Sequence, residues 1–329
     1  MSRALREHVG EHNEFGMEVS WGGIRLFRRN KPGSPGVFVE RGNGGGTNVG
    51  RPGLSTAGRV IKEFSASSRL HMRERFAALP WERCGDRLAM VTYTYPKEFP
   101  HSGRVVKGHR EAMKLRWSRK WGAPTGAWAL EFQDRGAPHI HTYVGLPPLP
   151  LQEFEDWIRN AWYEVVGSGV QVHRRRGVDV RPCFYGPARE NARRVADYFW
   201  RESGKRQQKK VPDDYVAVGR FWGYWGLKPE LERLALTVHE DVEIRRVMMA
   251  LLRHRPGIGK VKVPKGFDGM WLRAEDGFWL AQVLREWARD VVEWKGAGGL
   301  GAESPAKPRL RQRRPVRPYL IEGEWVMCR

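Results

Sequence analysis

The middle of the chain alternates between apolar and polar positions in two runs. Residues 126–133 form the first run and residues 140–144 the second, with Asp, Gly and Pro between them. Alternation with a period of two is typical of a half-buried strand, and two such runs around a short turn predict a β-hairpin. A further run over residues 88–95 predicts another strand, in which Thr92 and Thr94 share a face.

Apolar positions at helical spacing surround these strands. The helices that they predict cover residues 67–79, 105–121, 151–166 and 188–203. The first helix has Ser67 as its N-cap, and the second carries cations that form either a face against a DNA backbone or an ordinary solvated face. Short alternating runs at residues 170–173 and 178–180 predict a second hairpin with a basic tip.

Changes in composition divide the chain into four predicted segments. Residues 1–60 are rich in glycine toward their end and are predicted to form a flexible N-terminal arm and linker. Residues 61–228 hold the strands and helices described above. Residues 229–295 contain two amphipathic stretches that predict a small helical appendage, and residues 296–329 predict a basic, disordered tail.

The charge balance points to a polyanionic partner. The chain has 58 Lys and Arg residues against 37 Asp and Glu residues, which gives a net charge of +21 and a pI near 10.3. A field of this sign attracts nucleic acid, and a membrane surface is the competing interpretation. A cytoplasmic location without membrane association is expected, because no stretch approaches the roughly 20 apolar residues that span a bilayer and the first residues lack a secretory apolar core.

The cysteines do not suggest a structural site. The chain has three of them, Cys84, Cys183 and Cys328, and they show no paired spacing. Neither a disulfide framework nor a four-cysteine zinc site is therefore predicted.

Two histidines begin the second strand of the predicted hairpin. His139 and His141 are two positions apart, so their side chains point the same way while Ile140 points into the core. Glu131 and Gln133 share a face of the partner strand, and either would add an oxygen ligand. Glu131 is preferred, because a carboxylate suits a hard divalent cation such as Mg²⁺ or Mn²⁺. The pattern predicts a metal site, with the hydroxyls of Thr92 and Thr94 lining its floor, and a pair of ordinary structural histidines is the alternative.

The motif around these histidines resembles the metal-binding motif of HUH endonucleases, specifically of the rolling-circle replication initiators of small plasmids and phages. It reads Glu-x-Gln-x-Arg-Gly-x-Pro-His-x-His over residues 131–141. Residues 91–96, Val-Thr-Tyr-Thr-Tyr-Pro, resemble the first strand motif of that family. Residues 195–201, Val-Ala-Asp-Tyr-Phe-Trp-Arg, occupy the place of its tyrosine motif, and residues 219–223, Gly-Arg-Phe-Trp-Gly, match a further pattern. The tyrosine motif follows the histidines, which is the order of replication initiators and not of conjugative relaxases.

The resemblance covers roughly residues 60–226 and implies the fold and the reacting groups. The implied fold is α+β, an HUH endonuclease fold with a central antiparallel sheet flanked by helices. Tyr198 is implied as the nucleophile, and Tyr185, Tyr95 and Tyr215 are weaker candidates. Arg194 and Arg201 flank Tyr198 on a helix, where they would bind the attacked phosphate. The family commonly has a lysine where this chain has Arg201, and a guanidinium cannot give up its proton. The other cations assigned to DNA contact are Arg135, Arg174, Arg175, Arg176, Lys205 and Arg220.

The function that the resemblance implies is initiation of rolling-circle replication. The protein would nick and rejoin single-stranded DNA at an origin, which is expected to form a hairpin, through a 5′-phosphotyrosine and a free 3′-hydroxyl that a host polymerase extends. A host helicase is an expected partner, because the chain has no phosphate-loop motif. Two alternatives stay open: an HUH transposase or mobilisation nuclease with the same chemistry, and a catalytically inactive DNA-binding regulator, which the changed lysine suggests.

Overall fold

A computed structural model of the chain describes most of its residues. The described ranges are 13–30, 61–183, 188–200, 207–255, 259–260, 270–274, 276–299, 303–306, 319–321 and 324–326. The chain divides into two units. The terminal unit consists of Met1–Leu54 and Glu230–Pro315, and the central unit consists of Ser55–Pro229 and Val316–Arg329.

The described residues form thirteen strands and seven α-helices. The strands are β1 (Asn13–Ser20), β2 (Gly23–Asn30), β3 (Leu88–Thr94), β4 (Gly126–Phe132), β5 (Pro138–Gly145), β6 (Val178–Pro182), β7 (Trp222–Trp225), β8 (Glu232–Leu236), β9 (His254–Arg255), β10 (Gly259–Lys260), β11 (Met270–Arg273), β12 (Tyr319–Ile321) and β13 (Glu324–Val326). The helices are α1 (Ala66–Ala77), α2 (Gly103–Trp121), α3 (Leu151–Val166), α4 (Gln171–Arg176), α5 (Ala188–Trp200), α6 (Val238–Arg253) and α7 (Gly277–Gly296).

The central unit is built on a five-stranded antiparallel sheet. Its strand order is β6-β3-β5-β4-β7. The hairpin predicted from the alternating runs is confirmed as β4 and β5, and the strand predicted over residues 88–95 is confirmed as β3. The register places Glu131 opposite His139 and places Thr92 opposite His141. The prediction of an α+β unit with a central antiparallel sheet is therefore confirmed.

One face of this sheet carries His141 and Tyr143 and is covered by α1 and α5. The Tyr143 hydroxyl lies 3.4 Å from the carbonyl oxygen of Ala188, at the start of α5. The indole nitrogen of Trp222 on β7 donates to the hydroxyl of Ser68 on α1 at 3.0 Å. Because strand side chains alternate between faces, the residues that share this face with His141 all point toward these two helices.

The opposite face is covered by α2 and α3. The ring of Tyr93 lies 5.0 Å from the ring of Trp162 on α3, and the guanidinium of Arg110 on α2 lies 3.6 Å from the ring of Trp128. Trp162 also donates through its indole nitrogen to the carbonyl oxygen of Thr94 at 2.9 Å. The sheet is thus enclosed between two helical layers, and the predicted packing of residues 151–166 across it is confirmed.

The start of α1 differs from the prediction by two residues. The helix begins at Ala66 with Ser65 as its N-cap, and the Ser65 hydroxyl accepts from the backbone N–H of Ser68 at 3.2 Å. Serine is favoured at the N-cap because its side chain satisfies an N–H that has no partner within the helix.

The second predicted hairpin is wrong. Residues Gln171–Arg176 form the short helix α4, and only β6 after it is a strand. Val170 and Val172, which suggested a buried strand face, are 46% and 53% exposed. His173 is buried instead, and its Nε2 lies 2.9 Å from the carbonyl oxygen of Thr94. The period of two in this stretch therefore does not mark a strand face.

The terminal unit contains a second antiparallel sheet, of strand order β11-β2-β1-β8. Residues 13–30, which were predicted to belong to a flexible arm, form β1 and β2 of this sheet, so the prediction is corrected there. Met17 and Ile24 are fully buried against Met248 of α6 and Leu284 of α7. The predicted helices of residues 229–295 are present as α6 and α7, but the unit that holds them is a sheet packed against helices and not a helical appendage.

The helix α6 begins with a capping box that was not predicted from the sequence. The Glu240 carboxylate accepts from the backbone N–H of Thr237 at 2.7 Å, and the Thr237 hydroxyl accepts from the backbone N–H of Glu240 at 3.2 Å. These reciprocal bonds satisfy two N–H groups at the end of the helix.

The end of the chain contains one short strand pair. Tyr319–Ile321 pairs with Glu324–Val326 in an antiparallel ladder, which corrects the prediction of a disordered tail for those residues. The cations between residues 307 and 317 lie outside the described residues. Among the helices that the structure describes, no helix combines the length and the apolarity needed to cross a membrane.

Candidate active site

The turn between β4 and β5 brings the predicted metal ligands together. Gly136 in this turn has a φ of +81°, a conformation that glycine adopts without strain. The backbone N–H of Gly136 donates to the carbonyl oxygen of Gln133 at 2.7 Å, and the N–H of Gln133 donates to the carbonyl oxygen of Ala137 at 2.9 Å. This closed turn holds Glu131 and His139 as directly opposed residues.

Glu131, His141 and Thr92 form a buried polar cluster. His141 Nε2 lies 3.6 Å from Glu131 Oε2, and the side chains are each 2% exposed. On the other side of the ring, His141 Nδ1 lies 3.1 Å from the Thr92 hydroxyl. A hydrogen bond on one ring nitrogen fixes the orientation of the imidazole and leaves the other nitrogen directed toward the carboxylate. The prediction that Thr92 lines the floor of the site agrees with this contact.

His139 lies next to this cluster but is half-buried. Its ring centroid is 4.4 Å from that of His141, with an angle of 57° between the rings. The structure therefore brings the two imidazoles together on one strand face, as the spacing predicts.

The donor set partly fits a divalent cation. Two ligands bound to one cation at about 2.1 Å stand about 3.0–3.6 Å apart, and the Glu131–His141 separation of 3.6 Å lies at the end of that range. Among these donors, the Glu131 carboxylate suits Mg²⁺ or Mn²⁺, whereas the imidazole nitrogens suit Zn²⁺, Fe²⁺ or Ni²⁺ better. However, no group of three or more His, Cys, Asp and Glu side chains is arranged to hold a metal ion within the part of the chain that the structure describes. Two of the predicted ligands converge, and His139 does not complete a three-donor group.

The alternative third ligand, Gln133, faces another residue. Its side-chain oxygen accepts from Arg135 Nε at 3.0 Å. Between Glu131 and Gln133, only Glu131 approaches His141, so the preference for the carboxylate agrees with the geometry.

Arg135 is bound to backbone and is not directed at the histidines. Its guanidinium donates to the carbonyl oxygens of Tyr95 at 2.6 Å and Pro96 at 2.7 Å, and it lies 5.3 Å from the ring of Phe99. These bonds connect the turn that precedes His139 to the end of β3. The observed role of Arg135 is therefore to hold this turn in position, and its assignment to DNA contact stays a prediction.

Tyr198 lies next to His141, on the helix predicted for it. The two ring centroids are 6.3 Å apart in an edge-to-face arrangement with an angle of 75°. The tyrosine is only 8% exposed and belongs to the apolar core of the central unit. The predicted nucleophile thus adjoins the predicted metal ligands, but in this arrangement it is covered.

Ion pairs surround Tyr198 on α5. Asp197 accepts from Arg73 of α1 at 2.8 Å, which links the two helices over the sheet. Arg194, predicted to bind the attacked phosphate, has its Nε 3.3 Å from Glu190 one turn earlier in the same helix. The Arg73–Asp197 pair was not foreseen, because it depends on the packing of α1 against α5 and leaves no local pattern in the sequence.

The remaining predicted cations are either exposed or outside the described residues. Arg201 and Lys205 lie outside the described residues. Arg220 is exposed, and so are Arg174, Arg175 and Arg176, which lie on α4 instead of at a hairpin tip.

Two other tyrosines considered as nucleophiles are buried. Burial raises the pKa of Tyr95 and of Tyr215 well above the usual range of a phenol. Such a shift makes a phenol harder to ionise and so a poorer nucleophile. The third candidate, Tyr185, lies outside the described residues.

Comparison of the chain with protein-family models, with curated proteins and with solved structures found no match.

Proposed function

We propose that the protein is a metal-dependent endonuclease of the HUH type that nicks and rejoins single-stranded DNA at a replication origin. The observation that carries the proposal is the contact of Tyr198 with His141, whose ring lies beside Glu131 on the same face of the central sheet. The motif order along the chain supports replication initiation over DNA transfer.

The proposed reaction exchanges one phosphoester for another. The Tyr198 hydroxyl oxygen attacks the phosphorus of a phosphodiester, loses its proton and forms a 5′-phosphotyrosine, while the departing oxygen takes up a proton and becomes a free 3′-hydroxyl. No nucleotide is consumed, because the number of phosphoester bonds stays the same. The 3′-hydroxyl would prime a host polymerase, and strand unwinding would fall to a host helicase.

The residues of the cluster have distinct proposed roles. Glu131 and His141 would hold a divalent cation, and His139 would have to turn toward them to add a third donor. When bound, the cation neutralises charge on the non-bridging phosphate oxygens. Thr92 would keep the His141 ring oriented through Nδ1. Arg194 would contribute positive charge near the phenol, at the cost of its contact with Glu190.

The burial of Tyr198 sets a condition on this proposal. In-line attack requires that the reacting oxygen and phosphorus approach within about 3–3.5 Å. A side chain that is 8% exposed cannot admit a nucleotide at that distance, so α5 must move away from the sheet before DNA enters. The same burial favours a second candidate function, a DNA-binding regulator that does not cleave.

Formation of a covalent adduct distinguishes the two candidates. The full chain is incubated with Mn²⁺ and with single-stranded oligonucleotides tiled across the DNA on both sides of its coding sequence, and adducts are detected by denaturing gel and peptide mass spectrometry. We expect one oligonucleotide to become linked to Tyr198. Tyr198→Phe should abolish the adduct, and Tyr163→Phe, a matched change on α3 at the opposite face, should retain it.

Two outcomes contradict the endonuclease proposal. One is the absence of any adduct across the tiled set, which together with tight DNA binding would support the regulator. The other is an adduct that persists in Tyr198→Phe. An adduct only at a transposon end or a transfer origin would instead support the transposase or mobilisation alternative.

A further inference from the structure

A groove between α2 and α3 lies on the side of the central sheet that does not carry the candidate active site. Its volume is about 400 Å³. Helix α2 lines it with Arg116, Arg119 and Lys120, and α3 lines it with Trp157, Asn160 and Glu164. We call this the basic groove. The helices α2 and α3 cover the face opposite His141 and Tyr198, so the basic groove is separate from the site proposed for strand cleavage.

The basic groove carries more positive than negative charge. Three cations from α2 meet one carboxylate, Glu164, which pairs with Arg116. Arg119 and Lys120 are exposed. The groove therefore has a positive excess that suits a ligand with several negative charges.

The cations of α4 extend this surface. Arg174 Nε donates to the side-chain oxygen of Asn160 at 2.8 Å, and Asn160 lines the basic groove. Arg174, Arg175 and Arg176 are all exposed. The contact places Arg174 at the rim of the groove, so the positive surface continues from α2 across α3 onto α4.

The aromatic side chain in the groove is already engaged. The Trp157 ring lies 4.2 Å from the ring of Trp121 in an edge-to-face arrangement, and the ammonium of Lys120 lies 5.4 Å from the Trp157 ring. Proteins that hold single strands without sequence preference combine cations with aromatic faces on which bases stack. A groove whose tryptophan is packed in this way offers contacts to phosphates and not to bases.

We propose that the basic groove and Arg174 bind the phosphate backbone of double-stranded DNA. The ligand is a regular array of phosphates, which a row of arginines and lysines on adjacent helices recognises without reading bases. The proposal does not depend on the proposed nuclease function, because the groove lies on the other face of the sheet and needs neither the tyrosine nor a metal ion.

The test measures duplex binding in a background that cannot cleave. The full chain with Tyr198→Phe is titrated, without divalent cations, into a fluorescent DNA duplex of arbitrary sequence, and anisotropy is recorded at several salt concentrations. The groove variant carries Arg119→Gln and Arg174→Gln. The control carries Arg104→Gln and Lys107→Gln, two exposed cations at the other end of α2. Both variants lose the same net charge.

The expected effect follows from counterion release. Each lost phosphate contact reduces the slope of log K against log salt by about 0.9, so the groove variant should lose about 1.8 of slope and bind about 60-fold more weakly at about 0.1 M salt. The control should stay within about threefold of the parent protein. All four replaced residues are exposed, and circular dichroism checks that both variants are folded.

Two results would overturn the proposal. One is that the groove variant binds duplex as tightly as the parent protein, and the other is that the control variant weakens duplex binding as much as the groove variant does. Adduct formation at Tyr198 is measured separately in the parent sequence, so failure of the nuclease proposal and failure of this one are distinguishable.

Discussion

Replacing Thr92 with valine tests whether the polar cluster of β3, β4 and β5 is a metal site. The Thr92 hydroxyl lies 3.1 Å from His141 Nδ1, and both residues are buried, at 5% and 2% exposed. Valine has nearly the same shape, so the change removes the hydroxyl without opening a cavity. The ring nitrogen of His141 then has neither that hydroxyl nor ready access to water.

This geometry sets the expected changes in the free energy of unfolding and in the affinity for a metal ion. A buried polar atom that loses its hydrogen-bond partner costs about 1–3 kcal/mol, so the free energy of unfolding should fall by that amount. If His141 is a metal ligand, loss of the group that orients its ring should also weaken metal binding by about 10- to 100-fold. A structural histidine would show the first effect alone.

Thr142→Val is the matched control for this experiment. Thr142 is 1% exposed, and its hydroxyl donates to the carbonyl oxygen of Val91 at 3.1 Å, on the face of β5 that points away from His141. We expect a loss of about 1 kcal/mol in unfolding free energy and an unchanged Mn²⁺ affinity. Urea unfolding measures the first quantity, and calorimetric titration with Mn²⁺ measures the second.

The metal hypothesis fails in either of two ways. One is that the parent protein binds no Mn²⁺ at millimolar concentration, and the other is that Thr92→Val and Thr142→Val change the Mn²⁺ affinity equally. In both cases His141 would be a structural histidine held by its two neighbours.

Three further predictions concern the central unit. A Cβ on Gly103 would meet the carbonyl oxygen of Ala217 at 2.3 Å, whereas nothing lies within 4 Å of a Cβ on Gly108 in the same helix. In urea unfolding, Gly103→Ala should therefore lower the unfolding free energy by about 1–3 kcal/mol, and Gly108→Ala should raise it by about 0.5–1 kcal/mol. Equal effects of the two changes would contradict this prediction. Burial lowers the pKa of His173, so the unfolded chain binds a proton more readily than the folded chain, and the unfolding free energy should fall as the pH drops below about 6.5. Between about pH 8 and about pH 5, the unfolding free energy of His173→Gln should depend less on pH than that of the parent protein. The same pH dependence in both proteins would show that His173 does not cause it. Arg135→Gln should lower the unfolding free energy by about 1 kcal/mol, because the hydrogen bonds of Arg135 to backbone carbonyl oxygens are lost. The slope of log K against log salt for DNA binding should stay unchanged, and a slope reduced by about 0.9 would instead support the predicted contact of Arg135 with DNA.

The sequence predicts the local parts of the central unit well. The strands β3, β4 and β5 and the helices α2 and α3 follow from alternation and helical spacing, because the residues that set these patterns are neighbours in the sequence. The strands were predicted to be half-buried, but they are buried on both faces, because helices cover both sides of the sheet. The approach of Glu131 to His141 is predictable for the same reason, since a short turn fixes which residues of a hairpin oppose each other.

The terminal unit was predicted poorly because its pairing is nonlocal. Phe15, Met17 and Val19 alternate and are buried, so β1 has a strand pattern. The two outer strands of the sheet, β8 beside β1 and β11 beside β2, lie far along the chain. A glycine-rich stretch also follows β2 in the sequence. A hairpin is only marginally stable alone, so the alternation has meaning only once the distant strands and α6 and α7 cover it.

The same packing that assembles the candidate active site restricts access to it. Arg73 holds Asp197 at 2.8 Å, and Tyr143 contacts the start of α5, so the helix that carries Tyr198 is held against the sheet at both ends. These contacts keep the phenol beside His141 and exclude solvent, which strengthens the electrostatic interaction of Glu131 with a cation or with His141. They also exclude a nucleotide. A nuclease built in this way must break the contacts between α1 and α5 when DNA binds, whereas a regulator can keep them. The two proposed functions therefore differ in whether the Arg73–Asp197 ion pair has to break on DNA binding.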